Sequence, residues 1–139
     1  MEIKIAELKK AVAALKRSIK VTEAKSIEQP ADLDEIETLR AGVIQTFEFS
    51  YELSWKMLKR WLEANVSPDI VTGVVRIELF RRAAESLLIA DVGKWMEFHD
   101  ARNKTSHIYA GEVAAEVYKK AVEFLPYVTD LAEKLEKRL

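Results

Sequence analysis

The chain has 139 residues, of which 49% are hydrophobic and 32% are charged, and its formal net charge at pH 7 is −1. This length and composition predict one globular domain over residues 1–139, and the near-zero charge argues against a general nucleic-acid coat protein. With no cysteine, disulfides and thiolate metal sites are excluded, and two histidines argue against a structural zinc site.

No part of the sequence indicates export or a membrane span. The N-terminus is charged and amphipathic, without the apolar core of a signal peptide. Apolar runs stay well below the roughly 18 residues that a membrane span needs. We therefore expect a cytoplasmic protein that does not act at a membrane.

The first two helices are predicted from the spacing of apolar residues. Residues 2–24 carry one apolar stripe with spacings of three and four. Its members are Ile5, Leu8, Val12, Leu15 and Ile19. Pro30 lies in the linker that follows, and Asp32 or Asp34 is expected to cap a second helix over residues 33–64.

The second predicted helix is apolar on two sides. Phe47 and Tyr51 share one side, whereas Phe49 lies on nearly the opposite side. A helix that is apolar on two sides is buried on two sides, so one side should pack in the core and the other against a second subunit. Alternatively, other helices of the same chain cover both sides. The charged stripe between them is interpreted as solvated, with Glu52 and Lys56 forming an i,i+4 pair.

The third helix is predicted from about Val74 to Leu88. Residues 67–69 (Ser-Pro-Asp) match the cap-then-proline start of a helix. This helix carries three arginines, which are interpreted as solubilising because glutamates are interleaved with them. They are Arg76, Arg81 and Arg82.

The last two helices complete an all-α fold. Asp91 is expected to cap a fourth helix, and residues 112–138 form a fifth, which Pro126 should kink. His99 of the fourth helix is interpreted as a packed or surface residue rather than a catalytic one. With no strand-period segment and no glycine-rich phosphate loop, the prediction is an antiparallel bundle of four to five helices.

Residues 102–109 (RNKTSHIY) bring several chemically competent side chains together at the end of the fourth helix. Arg102 offers a rigid fork of donors that suits phosphate, and His107 can carry a proton near neutral pH. On an unbroken helix their spacing would place them roughly 140° apart. Either the helix ends near Thr105 and Ser106, or one ligand site combines Arg102 and His107 from two chains.

This segment resembles a known signature. Arg102 and Asn103 followed by Ser106, His107 and Tyr109 are similar to the motif of HEPN domains, in the HepT branch that is also called nucleotidyltransferase substrate-binding proteins. Residues 47–56 (FEFSYELSWK) resemble the aromatic second-helix signature of the same family. The resemblance covers nearly the whole chain and implies a HEPN-like bundle. The two-sided apolar pattern around Phe47 and Phe49 adds the expectation of a two-fold homodimer.

The resemblance implies a toxin of a toxin–antitoxin pair. Such a protein is a metal-independent endoribonuclease without a cofactor, in which His107 moves a proton and Arg102 stabilises charge on the phosphate. Asn103 and Ser106 would support them. Because one chain has one Arg102 and one His107, a composite site at a dimer interface is expected.

The alternative is a non-catalytic subunit that binds a nucleotide or other substrate for a separate minimal nucleotidyltransferase. In the toxin interpretation, that partner enzyme silences the ribonuclease by attaching AMP to the tyrosine at the position of Tyr109. A third interpretation is that the motif only caps the fourth helix and that His107 is incidental.

Overall fold

The computed structural model describes residues 4–104 and 111–139, which form five helices and no strand. These are α1 (Ile5–Ser26), α2 (Leu33–Asn65), α3 (Arg76–Glu85), α4 (Val92–Lys104) and α5 (Gly111–Lys137). Helices α1, α2 and α5 pack pairwise against one another, α4 packs on α2 and α5, and α3 packs on α2 and α4. The predicted all-helical bundle is confirmed. In the described part of the chain, no helix combines the length and apolarity required to cross a membrane.

Aspartates fix where two of the helices begin. The Asp32 side chain accepts a hydrogen bond from the backbone N–H of Glu35 at 3.1 Å. Asp91 does the same for the N–H of Lys94 at 2.9 Å. Each cap satisfies one of the backbone donors that a helix start leaves without an intrahelical partner. Both caps were predicted, and the one at Asp91 sets the register in which Arg102 reaches the last turn of α4.

The Ser-Pro-Asp pattern at residues 67–69 does not open a helix, and α3 begins two residues after the predicted start at about Val74. The Ser67 hydroxyl accepts from the N–H of Asp69 at 3.3 Å, but the chain then makes turns through residues 68–73. Gly73 has φ +70°, in the left-handed region that favours glycine, and α3 begins only at Arg76. At its other end α3 stops at Glu85, three residues before the predicted end at Leu88. Leu87, just beyond the helix, has φ +61°.

An aromatic cluster around Phe124 fixes α4 against α2 and α5. The Phe124 ring is fully buried and meets its neighbours nearly edge to face, at centroid distances of 5.2 Å to Phe47, 5.4 Å to Trp95 and 5.0 Å to Phe98. Such pairs stabilise by roughly 0.5–1.5 kcal/mol each beyond their burial. Phe98 and Arg102 are one turn apart on α4, so the cluster also sets the direction in which Arg102 projects.

The two apolar sides of α2 are covered unequally. Phe47 and Tyr51 are fully buried in the core, as predicted. On the opposite side, Met57 is fully buried within the chain, whereas the side chain of Phe49 is 60% exposed. The alternative that the chain's own helices cover both sides is therefore right at Met57 and wrong at Phe49.

Candidate functional site

The predicted site residues fall partly inside the described structure. Arg102 and Asn103 lie in the last turn of α4. Ser106, His107 and Tyr109 belong to residues 105–110, which lie outside the described residues. The expected proximity of Arg102 and His107 therefore stays a prediction, and the site is built here from the Arg102 side.

Arg102 faces two carboxylates of α2. Its Nη1 lies 3.8 Å from Oε2 of Glu48, and its Nε lies 3.4 Å from Oε1 of Glu52. All three side chains are half-buried or more. Glu48 and Glu52 are one turn apart and so present their carboxylates on the same face of α2. The predicted solvated stripe is wrong for these two residues, because they turn inward to α4, and Glu52 pairs with Arg102 rather than with Lys56.

A cleft of about 530 Å³ opens beside Arg102, between α1, α2 and α4. Glu48 and Glu52 line it together with Lys10 of α1 and the exposed Phe49. Among the residues that the structure describes, two cationic and two anionic side chains line the cleft, so their formal charge sums to zero. A phosphate that enters the cleft must therefore compete with carboxylates for the guanidinium, rather than meet a strongly positive surface.

A second polar cluster adjoins the motif through His99. The Tyr51 hydroxyl lies 2.7 Å from Nδ1 of His99, and Nε2 of His99 lies 3.2 Å from the side-chain amide nitrogen of Asn103. Arg76 Nη1 donates to the Tyr51 oxygen at 3.2 Å. Burial, followed by the charge of Arg76, lowers the pKa of His99, and burial raises the pKa of Tyr51. His99 is thus neutral near pH 7, and Tyr51 keeps its proton.

Arg76 also stacks on an aromatic ring. Its guanidinium carbon lies 3.7 Å from the ring centre of Trp55, and the Trp55 indole N–H donates to Glu52 at 2.9 Å. The interpretation of Arg76 as merely solubilising was wrong. The solubilising interpretation does fit Arg82, whose Nε lies 3.3 Å from Oε1 of Glu78 on the same helix.

Sequence reasoning missed Arg76, Tyr51 and Glu52 as neighbours of the motif. One signal was present in the sequence. Tyr51 and Trp55 are one turn apart, as are Glu48 and Glu52, so α2 carries an aromatic pair beside an acidic pair. Both pairs suit a planar cation arriving from another helix.

Comparison with known sequences places the chain among related proteins. The model of the family described as nucleotidyltransferase substrate binding protein like matches residues 3–137. A Haemophilus influenzae protein named probable ribonuclease HepT is 42% identical over 103 residues, which are 73% of this chain and 70% of that protein.

Solved structures share the fold. One from Haemophilus influenzae, described as having the fold of a substrate-binding domain of a nucleotidyltransferase, matches with a TM-score of 0.88 at 34% identity, covering 96% of this chain and 99% of the other. A structure from Thermus thermophilus matches with a TM-score of 0.62 at 18% identity, over 87% of this chain and 98% of the other. The second match concerns the fold alone.

Proposed function

This chain belongs to the nucleotidyltransferase substrate binding protein like family, and we propose that within it the chain acts as a HEPN-type toxin that cleaves RNA without a metal ion. The 42% identity to a probable ribonuclease HepT supports this assignment. The observation that carries it is the placement of Arg102. This arginine lies in the last turn of α4 and lines a cleft, where it faces two carboxylates and is bordered by an exposed phenylalanine.

In the proposed reaction the 2′-hydroxyl of one nucleotide attacks the adjacent phosphorus. His107 takes the hydroxyl proton as the new O–P bond forms, and the bond to the 5′-oxygen breaks. His107 then returns the proton to that oxygen, which gives a 2′,3′-cyclic phosphate and a 5′-hydroxyl. Arg102 stabilises the extra charge that develops on the non-bridging oxygens, and Asn103 and Ser106 support the phosphate.

The carboxylates beside Arg102 have a role in this scheme. Their separations of 3.4 and 3.8 Å from the guanidinium nitrogens exceed the roughly 2.7–2.9 Å of a tight charge-assisted hydrogen bond. Glu48 and Glu52 therefore orient the guanidinium without closing around it. A phosphate with bidentate geometry can compete with such loosely held carboxylates.

The proposed site is composite, in a two-fold homodimer. A two-fold interface repeats one surface patch on both subunits, so Arg102 of each chain would come close to the other copy. Phe49 lies in the same cleft as Arg102 and is 60% exposed, which leaves an apolar surface for a second copy to cover.

The proposed partner is a separate minimal nucleotidyltransferase that neutralises the toxin. The Tyr109 hydroxyl would attack the α-phosphorus of ATP, forming a phosphodiester and releasing pyrophosphate. The attached AMP would place an anion in front of Arg102, excluding RNA by its bulk and by like charge.

The second candidate function is a non-catalytic nucleotide- or substrate-binding subunit of such an enzyme. The formal charge of zero that the described lining residues give the cleft favours it, because a long RNA strand is normally held by a positive groove. The description of the Haemophilus influenzae structure as a substrate-binding domain favours it as well.

Cleavage of a fluorophore–quencher RNA in the presence of EDTA tests the first function. Arg102→Ala and His107→Ala should each lower the cleavage rate by at least about 100-fold, while circular dichroism shows both variants folded with the helix content of the wild type. Arg102→Ala should melt at a lower temperature, because it leaves Glu48 and Glu52 without this cation. Arg82→Ala is the matched control, since Arg82 pairs with Glu78 and Glu85 on α3, and it should cut normally.

The outcomes separate the two functions. Folded Arg102→Ala and His107→Ala proteins that still cut at the wild-type rate would refute the catalytic assignment. A wild-type protein that leaves RNA intact but binds a nucleotide in calorimetry, with that binding lost in Arg102→Ala, would establish the second function instead.

A further inference from the structure

Two branches of contacts start at Arg76 and end on neighbouring residues of α4. The tyrosine branch runs from Arg76 Nη1 to the Tyr51 hydroxyl at 3.2 Å, and from that hydroxyl to Nδ1 of His99 at 2.7 Å. From Nε2 of His99 it reaches the amide of Asn103 at 3.2 Å. The branch thus connects α3 with the last turn of α4 through a fully buried residue of α2.

The tryptophan branch takes a different route from the same arginine. The Arg76 guanidinium lies 3.7 Å from the ring centre of Trp55, whose N–H donates to Oε2 of Glu52 at 2.9 Å. The other carboxylate oxygen of Glu52 lies 3.4 Å from Nε of Arg102. Consecutive residues of a helix point about 100° apart, so Arg102 and Asn103 need separate supports, and the two branches supply them.

The chemistry of the tyrosine branch fixes its protons. Arg76 can only donate, so the Tyr51 oxygen accepts from it. The Tyr51 hydroxyl proton is buried and needs an acceptor, which Nδ1 of His99 provides. Since neutral histidine carries one ring proton, this assignment puts that proton on Nε2, where it needs an acceptor, whereas the structure places the amide nitrogen of Asn103 at 3.2 Å. Turning the Asn103 amide by 180° about its last torsion presents its oxygen to this proton.

We propose that Arg76 is a positioning residue, which orients Asn103 through the tyrosine branch and Arg102 through the tryptophan branch. It does so by holding His99 as the Nε2–H tautomer and by fixing the Glu52 carboxylate. The expected effect on RNA cleavage rests on the proposed function, whereas the expected tautomer of His99 does not.

Tyr51→Phe is the most conservative perturbation of the tyrosine branch. It removes one oxygen from a buried ring and leaves the core packing in place. The matched control is Tyr118→Phe, which removes a hydroxyl from a half-buried tyrosine that also lies near an arginine, Arg40, but outside both branches. Arg76→Lys keeps the charge of Arg76 but loses the planar stacking and the fork of donors.

The first measurement is a long-range ¹H–¹⁵N spectrum of the imidazole nitrogens, with His99 assigned through His99→Gln. The wild type should show His99 protonated at Nε2, with Nδ1 as a hydrogen-bonded acceptor. Tyr51→Phe and Arg76→Lys should shift Nδ1 and mix the tautomers, whereas Tyr118→Phe should match the wild type.

The second measurement is steady-state RNA cleavage. Tyr51→Phe and Arg76→Lys should lower kcat by about 10- to 100-fold and leave KM within about twofold, because misplacement of catalytic groups affects the reaction more than binding. Tyr118→Phe should leave both constants unchanged.

The His99 spectra test this inference independently of the proposed function, which the cleavage assay tests. A wild-type His99 protonated at Nδ1, or a Tyr51→Phe protein with the wild-type tautomer and kcat, overturns the inference. If the wild type cleaves no RNA, the proposed function fails, and the His99 spectra alone decide whether Arg76 positions the motif.

Discussion

Phe49→Ser tests whether the exposed Phe49 in the cleft beside Arg102 contributes to the proposed dimer interface. Phe49 lies on the outer side of α2 and is 60% exposed in the single chain, so its loss leaves the monomer core intact. The free energy of unfolding of the monomer should change by no more than about 0.5 kcal/mol, as is usual for exposed positions. The dimer should weaken strongly.

The size of that effect follows from the exposed area. A phenylalanine side chain offers roughly 200 Å² for burial, and 60% of it gives roughly 120 Å² for a partner to cover. At about 25 cal/mol per Å² this corresponds to roughly 3 kcal/mol per subunit, and a two-fold dimer contains two such side chains. Part of that sum is offset because the two Phe49 side chains lose rotamer freedom when the partner covers them, so we expect a Kd at least about 100-fold weaker.

Sedimentation equilibrium over a range of concentrations measures the change. The wild type should approach twice the chain mass of 15.9 kDa, and Phe49→Ser should sediment as a monomer under the same conditions. Ile27→Ser is the matched control, because Ile27 is 80% exposed at the end of α1, away from the cleft. A wild-type monomer at all concentrations, or equal dimer constants for wild type and Phe49→Ser, would refute the reasoning.

The other predictions concern stability, pH and modification. Phe124→Ala should cost about 3–5 kcal/mol of unfolding free energy in urea titrations, since it empties the centre of the aromatic cluster, and a loss below about 1 kcal/mol would contradict that packing. Because the pKa of His99 is lowered in the folded chain, the unfolded chain binds its proton more readily, and this part of the stability is lost as the pH falls below about 6.5 towards the folded-state pKa. His99→Gln should therefore lose less unfolding free energy than the wild type over that window, and parallel pH profiles of the two would refute the assignment. Tyr109→Phe should keep RNA cleavage but escape the partner nucleotidyltransferase on co-expression, whereas a wild-type chain silenced with no gain in intact mass would indicate inhibition by binding alone.

The helices were largely predictable because local signals determine them. The second helix was predicted over residues 33–64 and is observed as Leu33–Asn65, and its cap at Asp32 was among the expected positions. Apolar spacing reports which face of a helix is buried, and a capping aspartate reports where the helix starts. Both signals lie within a few residues of the structure they specify.

The surroundings of the motif could not be predicted in the same way. Arg76 has glutamates beside it in sequence, which suggested a solvated helix, but its partners Tyr51 and Trp55 lie on α2, more than twenty residues earlier. Glu52 was assigned to Lys56 one turn away and instead faces Arg102 on α4. Periodicity identifies a charged stripe but carries no information about which helix will pack over it. The roles of His107, Ser106 and Tyr109 remain predictions from the motif.

The balanced charges of the cleft have a consequence for its response to ionic strength. Single-stranded RNA binding loses affinity with salt at a logarithmic slope of about −0.7 for each phosphate that the protein neutralises. Arg102 is already paired with Glu48 and Glu52, and Lys10 is the other cation among the described residues that line the cleft, so few phosphates of an incoming strand are neutralised there and few of its counterions are released. RNA affinity at this cleft should therefore vary only weakly with salt, and unrelated polyanions such as heparin should compete poorly for it. Under the proposed function, discrimination among RNAs should then depend on the shape of the strand at the cleft rather than on its charge.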